Sequence, residues 1–209
     1  MKIISHRGFW LDLDQKNSKF AFNNSVENNF GTETDIRDLN LKIVVSHDMP
    51  SDINLNIDLS QLIDIFLKKD LTLALNIKSD GLHSKLLEIL KEKKCNNYFV
   101  FDMSIPDTIE YIKLGMNVFC RQSEFEQNVP FYEEIKGVWL DSFESIWYDK
   151  DLILNHTLNN KKVCIVSSEL HKRDQNSLWE NMLDWNLNLN EHIILCTDYP
   201  LQAKTFFNV

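Results

Sequence analysis

The chain has 209 residues and a formal net charge of −9 at pH 7; 44% of its residues are hydrophobic and 25% are charged. This length suffices for one large domain or two small ones, and the composition excludes long stretches of disorder. The acidic surplus argues against nucleic acid or an anionic membrane surface as a partner, because both bind basic surfaces. With only five glycines, collagen-like and glycine-rich repeat proteins are excluded as well.

The sequence carries no signal for a membrane span or a secretory leader. No apolar run approaches the ~20 residues that cross a bilayer, and the N-terminus turns polar after Ile3 and Ile4. The four cysteines are widely spaced and form no CxxC pair. This spacing predicts reduced, buried thiols in a cytoplasmic protein rather than a disulfide framework or a zinc site.

Short runs rich in β-forming residues alternate with runs of helical spacing. In the first helical run, apolar side chains recur at Leu59, Leu62, Ile63 and Phe66, three and four residues apart. The strands predicted in chain order are 3–5, 32–37, 42–46, 71–77, 98–101, 117–120, 138–140, 162–166 and 192–196. The helices predicted in the same order are 59–68, 83–94, 105–114, 175–185 and 201–207.

The alternation amounts to about eight strand–helix steps without a break in composition. It favours a parallel sheet with helices packed outside it, which is an α/β fold. Eight steps in one domain favour a minimal (β/α)8 TIM barrel over residues 1–209, close to the lower size limit of about 200 residues for that fold. An open, doubly wound sheet is the alternative.

Two carboxylates stand out in the second predicted strand. Glu33 and Asp35 are two residues apart, so on a strand their side chains share one face. Two like charges this close need a compensating cation or a shared proton. Because hard divalent cations prefer oxygen ligands, the pair indicates a Mg²⁺ or Ca²⁺ site. A charged pair on a solvent-facing surface is the alternative.

Two histidines and two cations flank these carboxylates in the sequence. His6 and His47 each follow an apolar β-rich run, which predicts that both lie at strand ends, where two imidazoles could serve as general acid and general base. Arg7 and Lys78 would supply fixed positive charge for an anionic substrate, such as a phosphate group. The spacing does not decide which histidine is the acid.

The order of these motifs resembles the glycerophosphodiester phosphodiesterases, which belong to the wider phospholipase-C-like phosphodiesterase barrels. The resemblance covers residues 3–48, 71–81 and 193–200. It rests on His6-Arg7-Gly8, Glu27-Asn28, Gly31 followed by Glu33-x-Asp35, His47-Asp48 and Thr197-Asp198-Tyr199-Pro200.

The resemblance implies an enzyme of lipid metabolism that hydrolyses a small-molecule phosphodiester with a divalent metal, Mg²⁺ or Ca²⁺. In the family, a substrate hydroxyl beside the phosphate attacks first, giving a cyclic phosphate that water opens. By this resemblance His6 and His47 match the catalytic acid/base pair, and Glu33 and Asp35 the metal ligands. Arg7 matches the phosphate-contacting arginine. The alcohol groups of the substrate stay open, among glycerol, inositol, a lipid headgroup and a glycan.

One position departs from the family pattern. Lys78 matches the lysine beside the metal, but Asn76 stands where the family usually has a glutamate ligand. Asn76 still offers a carbonyl oxygen to a hard cation, without negative charge. Alternatively another carboxylate completes the site, with Glu169 favoured over Asp141 and Glu124 because it follows a predicted strand directly.

Two other functions compete with phosphodiester hydrolysis. The loss of a carboxylate at Asn76 suggests a non-catalytic phospho-ligand-binding barrel with a decayed metal site. A different barrel enzyme, such as a sugar-phosphate isomerase or an aldolase, would not need two histidines around a Glu-x-Asp pair. The sequence also predicts a barrel without a sizeable insertion after the His-Asp motif, because only residues 49–58 precede the next helix.

Overall fold

In the computed structural model, residues 1–51 and 56–209 are described. The chain divides into two compact units, which we call the amino-terminal unit (Ser5–Val118) and the carboxyl-terminal unit (Met1–Ile4 with Phe119–Val209). That residues 1–209 form one domain stays a prediction. The short connection predicted over residues 49–58 lies partly outside the described residues.

The amino-terminal unit combines parallel strand pairs with an antiparallel ribbon. Strand β5 pairs in parallel with β2 and with β6, whereas β3 pairs antiparallel with β2 and with β4. Strand β1 (Lys2–His6) ends in this unit with Ser5 and His6. Its other strands are β2 (Gly31–Leu39), β3 (Lys42–Val45), β4 (Ile57–Asp58), β5 (Leu73–Ile77) and β6 (Tyr98–Phe101), and its helices are α1 (Lys19–Glu27), α2 (Leu59–Leu67), α3 (His83–Glu92) and α4 (Ile105–Lys113).

The carboxyl-terminal unit contains four successive parallel strands, and helices join the second to the third and the third to the fourth. Strand β8 pairs with β7 and β9, and β9 pairs with β10, all in parallel. The strands are β7 (Phe119–Gln122), β8 (Gly137–Leu140), β9 (Lys162–Val166) and β10 (Ile193–Thr197), and the helices are α5 (Lys150–Leu158), α6 (Asn176–Asp184) and α7 (Pro200–Phe207). Parallel strands joined by helices are the arrangement that the alternating sequence pattern predicted.

The helices form where apolar spacing and capping residues coincide. In α2 the apolar positions Leu59, Leu62 and Ile63 are fully buried, and the Asp58 side chain caps the first turn by accepting a hydrogen bond from a backbone amide. Ser104 caps α4 in the same way. Helix α1 was not predicted, because its asparagines and serine are weak helix formers; the Ser18 cap marks its start.

The run 42–46 is a strand, as predicted, but it is not part of the parallel sheet. Asn40 and Leu41 both have positive φ, at 48° and 63°, which is the backbone of a two-residue hairpin turn. Strand β3 therefore runs back along β2, with Val45 opposite Ile36. His47 therefore follows an antiparallel strand, and not one of the parallel strands that the alternating pattern predicted.

The four cysteines are all free and buried, as predicted: Cys95, Cys120, Cys164 and Cys196. Burial raises the pKa of the Cys95 thiol to about 11 and that of the Cys120 thiol to about 12. These thiols therefore stay protonated near neutral pH and act as small apolar core residues. In the described part of the chain, no helix is long and apolar enough to cross a bilayer.

Candidate active site

The chain turns sharply where β1 ends, at Arg7 and Gly8. Both have left-handed backbone, with φ of 60° and 87°, and the Arg7 amide donates a hydrogen bond to the Glu33 carbonyl at 2.9 Å. A β-carbon on Gly8 would lie 2.6 Å from the Ala21 β-carbon of α1. The glycine therefore lets this turn pack directly against α1. Left-handed backbone at a residue other than glycine is strained and concentrates at functional sites.

Glu33 and Asp35 lie in the amino-terminal unit with His6, Arg7 and Lys78. The two carboxylates are 2% and 0% exposed. Arg7 Nε lies 3.0 Å from Asp35 Oδ2, and Lys78 Nζ lies 3.4 Å from Asp35 Oδ1. His6 Nε2 lies 3.8 Å from Glu33 Oε2. The sequence predicted this pair on one face of β2, with cations and a histidine beside it, and the structure brings these five residues together.

Glu33 occupies an unfavourable place for a negative charge. Burial raises its pKa well above the usual range, and the nearby charges of Asp35 and Asp102 raise it further. Arg7 and Lys78 lower this pKa, but they do not outweigh the burial. A buried carboxylate with a raised pKa is typical of functional sites, where a cation or a proton compensates its charge.

Asn76 lies beside Asp35 because β2 and β5 pair in parallel. In the register of the two strands Asn76 is the partner of Asp35, so the two side chains share one face of the sheet. Asn76 Nδ2 donates a hydrogen bond to Asp102 Oδ2 at 3.1 Å. Three buried oxygens here accept no hydrogen bond from any described residue: Glu33 Oε2, Asp35 Oδ1 and Asn76 Oδ1. The ion-pair contacts of His6 with Glu33 Oε2 and of Lys78 with Asp35 Oδ1, at 3.8 Å and 3.4 Å, do not have hydrogen-bond geometry.

Such unsatisfied oxygens fit a hard divalent cation. Buried polar atoms without a partner are rare in native proteins, and Mg²⁺ and Ca²⁺ bind carboxylate and amide oxygens. Within residues 1–51 and 56–209, no three side chains of His, Cys, Asp or Glu form a cluster that could hold a metal ion. A cation held by Glu33 and Asp35 would therefore need the amide oxygen of Asn76 or a further ligand.

His47 reaches this region on the antiparallel ribbon. The Ser46 amide donates a hydrogen bond to the Asp35 carbonyl at 3.0 Å, which places His47 one residue beyond the contact with β2. Arg37 Nε donates a hydrogen bond to the His47 carbonyl at 3.1 Å. The imidazole Nδ1 lies 2.8 Å from Asp48 Oδ1, and the side chain is 47% exposed. His47 is thus oriented by Asp48 and open to a ligand.

Asn17 belongs to the site although the sequence did not reveal it. Its Nδ2 donates to Asp35 Oδ2 at 3.2 Å, and its Oδ1 accepts from Thr34 Oγ1 at 2.8 Å. Its backbone amide donates to the Arg7 carbonyl. Asn17 therefore joins the turn after β1 to the acidic strand β2. An asparagine in a polar loop carries no spacing signal, so only the three-dimensional contacts identify it.

Glu169 lies in the carboxyl-terminal unit, in the loop after β9. Its Oε1 accepts hydrogen bonds from Thr197 Oγ1 at 2.5 Å and from the Asp198 amide at 3.0 Å. Its Oε2 is buried and accepts none from the described residues. Burial raises the pKa of Glu169. Its role as a metal ligand stays a prediction.

The other two carboxylates considered as ligands are engaged elsewhere in this unit. Asp141 Oδ2 lies 2.6 Å from Arg121 Nη1, and Asp141 Oδ1 lies 2.6 Å from His171 Nε2. Glu124 Oε1 accepts a hydrogen bond from the Glu144 amide at 2.7 Å. Burial raises the pKa of Glu124, but several backbone amides outweigh it and lower the pKa overall. Asp141 and Glu124 therefore stabilise the loops after β7 and β8.

The structure is similar over its whole length to solved phosphodiesterases. One, from Galdieria sulphuraria and described as a candidate glycerophosphodiester phosphodiesterase, is 17% identical, with a TM-score of 0.80 over 100% of this chain and 98% of that chain. A phosphodiesterase from Oleispira antarctica, solved with the product sn-glycerol-3-phosphate, is 14% identical, with a TM-score of 0.72 over 100% and 97% of the two chains. The protein has the fold of the glycerophosphodiester phosphodiesterases.

A third structure supports the same fold. The glycerophosphodiester phosphodiesterase from Agrobacterium tumefaciens is 11% identical, with a TM-score of 0.73 over 100% of both chains. These proteins are TIM barrels, so the predicted α/β barrel fold is confirmed. No family model matches the chain, and no curated protein sequence matches it. The likeness is therefore one of structure.

Proposed function

We propose that the protein is a divalent-metal-dependent phosphoric diester hydrolase acting on small glycerophosphodiester-like molecules, and a divergent member of the glycerophosphodiester phosphodiesterases. The observation that carries the proposal is the trio of buried, unsatisfied oxygens on Glu33, Asp35 and Asn76, with Arg7 and Lys78 beside them. The fold shared with known phosphodiesterases supports it.

Glu33, Asp35 and Asn76 are the residues that would hold Mg²⁺ or Ca²⁺, with Glu169 as a further candidate ligand. When bound, such an ion stabilises negative charge on a phosphate oxygen as a Lewis acid. Without the ion, the carboxylates of Glu33 and Asp35 lie close to the two positive charges of Arg7 and Lys78. With the ion bound, the site as a whole would carry a net positive charge, which would attract a phosphodiester anion.

Arg7 and Lys78 bind and orient the phosphate. The planar guanidinium of Arg7 suits paired contacts to two phosphate oxygens, and the ammonium of Lys78 acts as a point charge. Asp35 contacts both cations, at 3.0 Å and 3.4 Å, and so holds them at the site before substrate arrives. Prepositioned cations stabilise developing charge without reorganising during the reaction.

His6 and His47 transfer the protons. A substrate hydroxyl next to the phosphate attacks phosphorus, forming a new P–O bond while the bond to the leaving alcohol breaks. One histidine takes the proton of the attacking hydroxyl, and the other gives a proton to the oxygen of the leaving alcohol. Water then opens the resulting cyclic phosphate. Contacts with Glu33 and Asp48 orient the two imidazoles.

Substrates of this class arise when phospholipids lose their acyl chains, so we assign the protein to lipid metabolism. The four free, buried cysteines support the cytoplasmic location expected from the sequence. Nucleic acid plays no part in the proposal, because the net charge of −9 disfavours a polyanion as ligand.

The decisive test is hydrolysis of sn-glycero-3-phosphocholine by the purified protein with added Mg²⁺ or Ca²⁺. We expect release of choline, loss of activity with EDTA and recovery when the ion is returned. Absence of turnover on glycerol, inositol and sugar phosphodiesters would contradict the proposal. Binding of the diester without turnover, unchanged by EDTA, would instead support the alternative of a non-catalytic phospho-ligand-binding barrel.

A further inference from the structure

Asp102 ends β6 in an unusual backbone conformation. Its φ is 66°, in the left-handed region that residues other than glycine seldom adopt. Its carboxylate accepts a hydrogen bond from Asn76 Nδ2 at 3.1 Å. Asn76 is the partner of Phe101 in the register of β5 and β6. Residue 102 thus lies one position beyond that pair, where its side chain reaches the amide.

This contact decides which way the Asn76 amide is turned. A carboxylate accepts hydrogen bonds and does not donate them, so Asp102 selects the NH₂ end of the amide. The carbonyl end, Asn76 Oδ1, is left buried and without a hydrogen bond from the described residues. Because Asn76 and Asp35 are partners in register, this oxygen lies on the same sheet face as the carboxylate of Asp35.

Asp102 also places negative charge near the acidic pair. Its charge is one of the influences that raise the pKa of Glu33. The group then holds three carboxylates, those of Glu33, Asp35 and Asp102, against the cations of Arg7 and Lys78. The third carboxylate adds a repulsive negative charge to the group, and a bound divalent ion would offset this repulsion.

We propose that Asp102 is a positioning residue of the metal site, which turns the Asn76 carbonyl oxygen toward the ion and supplies a third negative charge from outside the ligand shell. The inference rests on the proposed metal-dependent function. Residues that orient metal ligands through hydrogen bonds commonly change metal affinity 10- to 100-fold when mutated. Asn76 and Asp102 together then replace one charged ligand. Asn76 supplies the ligand oxygen, and Asp102 supplies the negative charge.

The test is calorimetric titration of the substrate-free protein with Mg²⁺ and with Ca²⁺, combined with thermal unfolding without metal. Asp102→Asn removes the charge and replaces a group that only accepts by an amide that also donates, so it no longer selects the NH₂ end of Asn76. Asparagine also tolerates left-handed backbone well. Asn76→Glu combined with Asp102→Asn moves the carboxylate from position 102 to position 76. Asp64→Asn is the matched control, because it removes the same charge from the Lys93–Asp64 pair on the surface of α2.

We expect Asp102→Asn to weaken ion binding about tenfold or more. Its metal-free unfolding temperature should equal or exceed that of the wild type, because one repulsive charge is gone. The double variant should bind the ion within about threefold of the wild type, and Asp64→Asn should bind as the wild type does. A purely structural Asp102 would instead lower the metal-free unfolding temperature.

Two results would overturn the inference. The first is ion binding by Asp102→Asn equal to that of the wild type and of Asp64→Asn. The second is a double variant that binds the ion as weakly as Asp102→Asn does, although it unfolds at the wild-type temperature. If the wild type itself binds neither ion, the proposed metal site fails, and this inference fails with it. That outcome differs from the first two, in which the wild type binds.

Discussion

At the scale of single residues, the proposed acid/base pair His6 and His47 makes the sharpest prediction. His6→Asn should lower kcat about 100-fold or more, because it removes a proton-transfer group. The variant should keep the wild-type affinity for the divalent ion, since His6 is not one of the proposed metal ligands. Steady-state kinetics on sn-glycero-3-phosphocholine, with calorimetry of ion binding, measures both.

The control for that prediction is another histidine. His192 precedes β10 and lies in the carboxyl-terminal unit, and the proposed mechanism does not use it. His192→Asn should leave kcat unchanged. A His6→Asn variant with wild-type kcat would exclude His6 from the chemistry, whatever the metal requirement proves to be.

A second residue-scale prediction concerns stability against pH. His156 is buried, and its ring nitrogens contact Tyr132 Oη and Gln122 Oε1, both at 2.8 Å. Burial lowers its pKa, so the unfolded chain binds the proton more readily than the folded one. This contribution to stability is full above the unfolded pKa of about 6.5 and is lost as the pH falls below it.

Urea unfolding at pH 7.5 and pH 5.5 tests this prediction. His156→Gln has no proton to take up, so its free energy of unfolding should fall less between the two pH values than that of the wild type. An equal fall in both proteins would show that His156 does not contribute to the acid sensitivity. The comparison concerns only the difference between the two pH values, so a uniform loss of stability in the variant does not affect it.

Residue types and spacing were enough to predict the cluster around Asp35. His6, Arg7, Glu33 and Lys78 follow or occupy predicted strands, and strand ends of one sheet edge meet in space. The contact of Asp102 with Asn76 could not be foreseen. Such a contact depends on strand register and on a left-handed backbone, neither of which leaves a pattern in a single sequence.

At the scale of secondary-structure elements, the packing of the turn after β1 against α1 yields a prediction. Gly8→Ala should destabilise the protein by about 2–4 kcal/mol, because it adds left-handed strain and a close contact with Ala21. Gly115→Ala is the matched control. Gly115 also has positive φ, at 70°, but a β-carbon there would meet nothing within 4 Å, so only the strain of about 1–2 kcal/mol is expected.

Chemical denaturation of the two glycine variants separates strain from close approach. Equal losses at Gly8 and Gly115 would mean that the turn after β1 moves away from α1 without cost. In that case Arg7, which is next to Gly8, would also be free to move. The kcat of Gly8→Ala would then fall, although its free energy of unfolding would fall no more than that of Gly115→Ala.

Helices and strands were predictable where the local sequence pattern agrees with the way the element packs in the fold. Helices α2, α3 and α4 combine apolar spacing with clear ends, and their predicted bounds differ from the structure by at most two residues. Strand β3 was found, but its direction was not, because an antiparallel hairpin and a parallel strand have the same composition. The left-handed Asn40 and Leu41 decide the direction, and leucine gives no hint of such a turn.

At the scale of the whole molecule, ion binding should be coupled to stability. An ion that binds only the folded state stabilises it by about 2.7 kcal/mol at a concentration 100-fold above Kd. We therefore expect Mg²⁺ or Ca²⁺ to raise the unfolding temperature of the wild type and EDTA to reverse the shift. Calorimetric unfolding scans at several ion concentrations measure the effect.

Asp35→Asn is the informative variant for this coupling. It removes one carboxylate of the site and the ion pairs with Arg7 and Lys78. Its unfolding temperature should no longer depend on the ion. An equal ion-induced shift in the variant and the wild type would place the binding site elsewhere on the protein.

The fold as a whole was predictable because strand and helix patterns along most of the chain indicate it together. Repeated alternation of strands and helices survives errors in single elements, so misjudging β3 and missing α1 did not alter the barrel prediction. The substrate has no such distributed signal. It depends on loop side chains, whose sequence pattern is that of any polar loop.

The hairpin that carries His47 has a consequence for how the protein would lose activity. Strand β3 is held by four residue pairs to β2 and by two to β4, so few backbone hydrogen bonds keep it in place. Although three of the four residues of β3 are buried, a strand with so few paired residues opens locally at lower free energy than β5, which pairs over five residues with β2 and over four with β6. Heating should therefore reduce the activity of the protein reversibly below its global unfolding temperature. Amide hydrogens of β3 should exchange with solvent before those of β5.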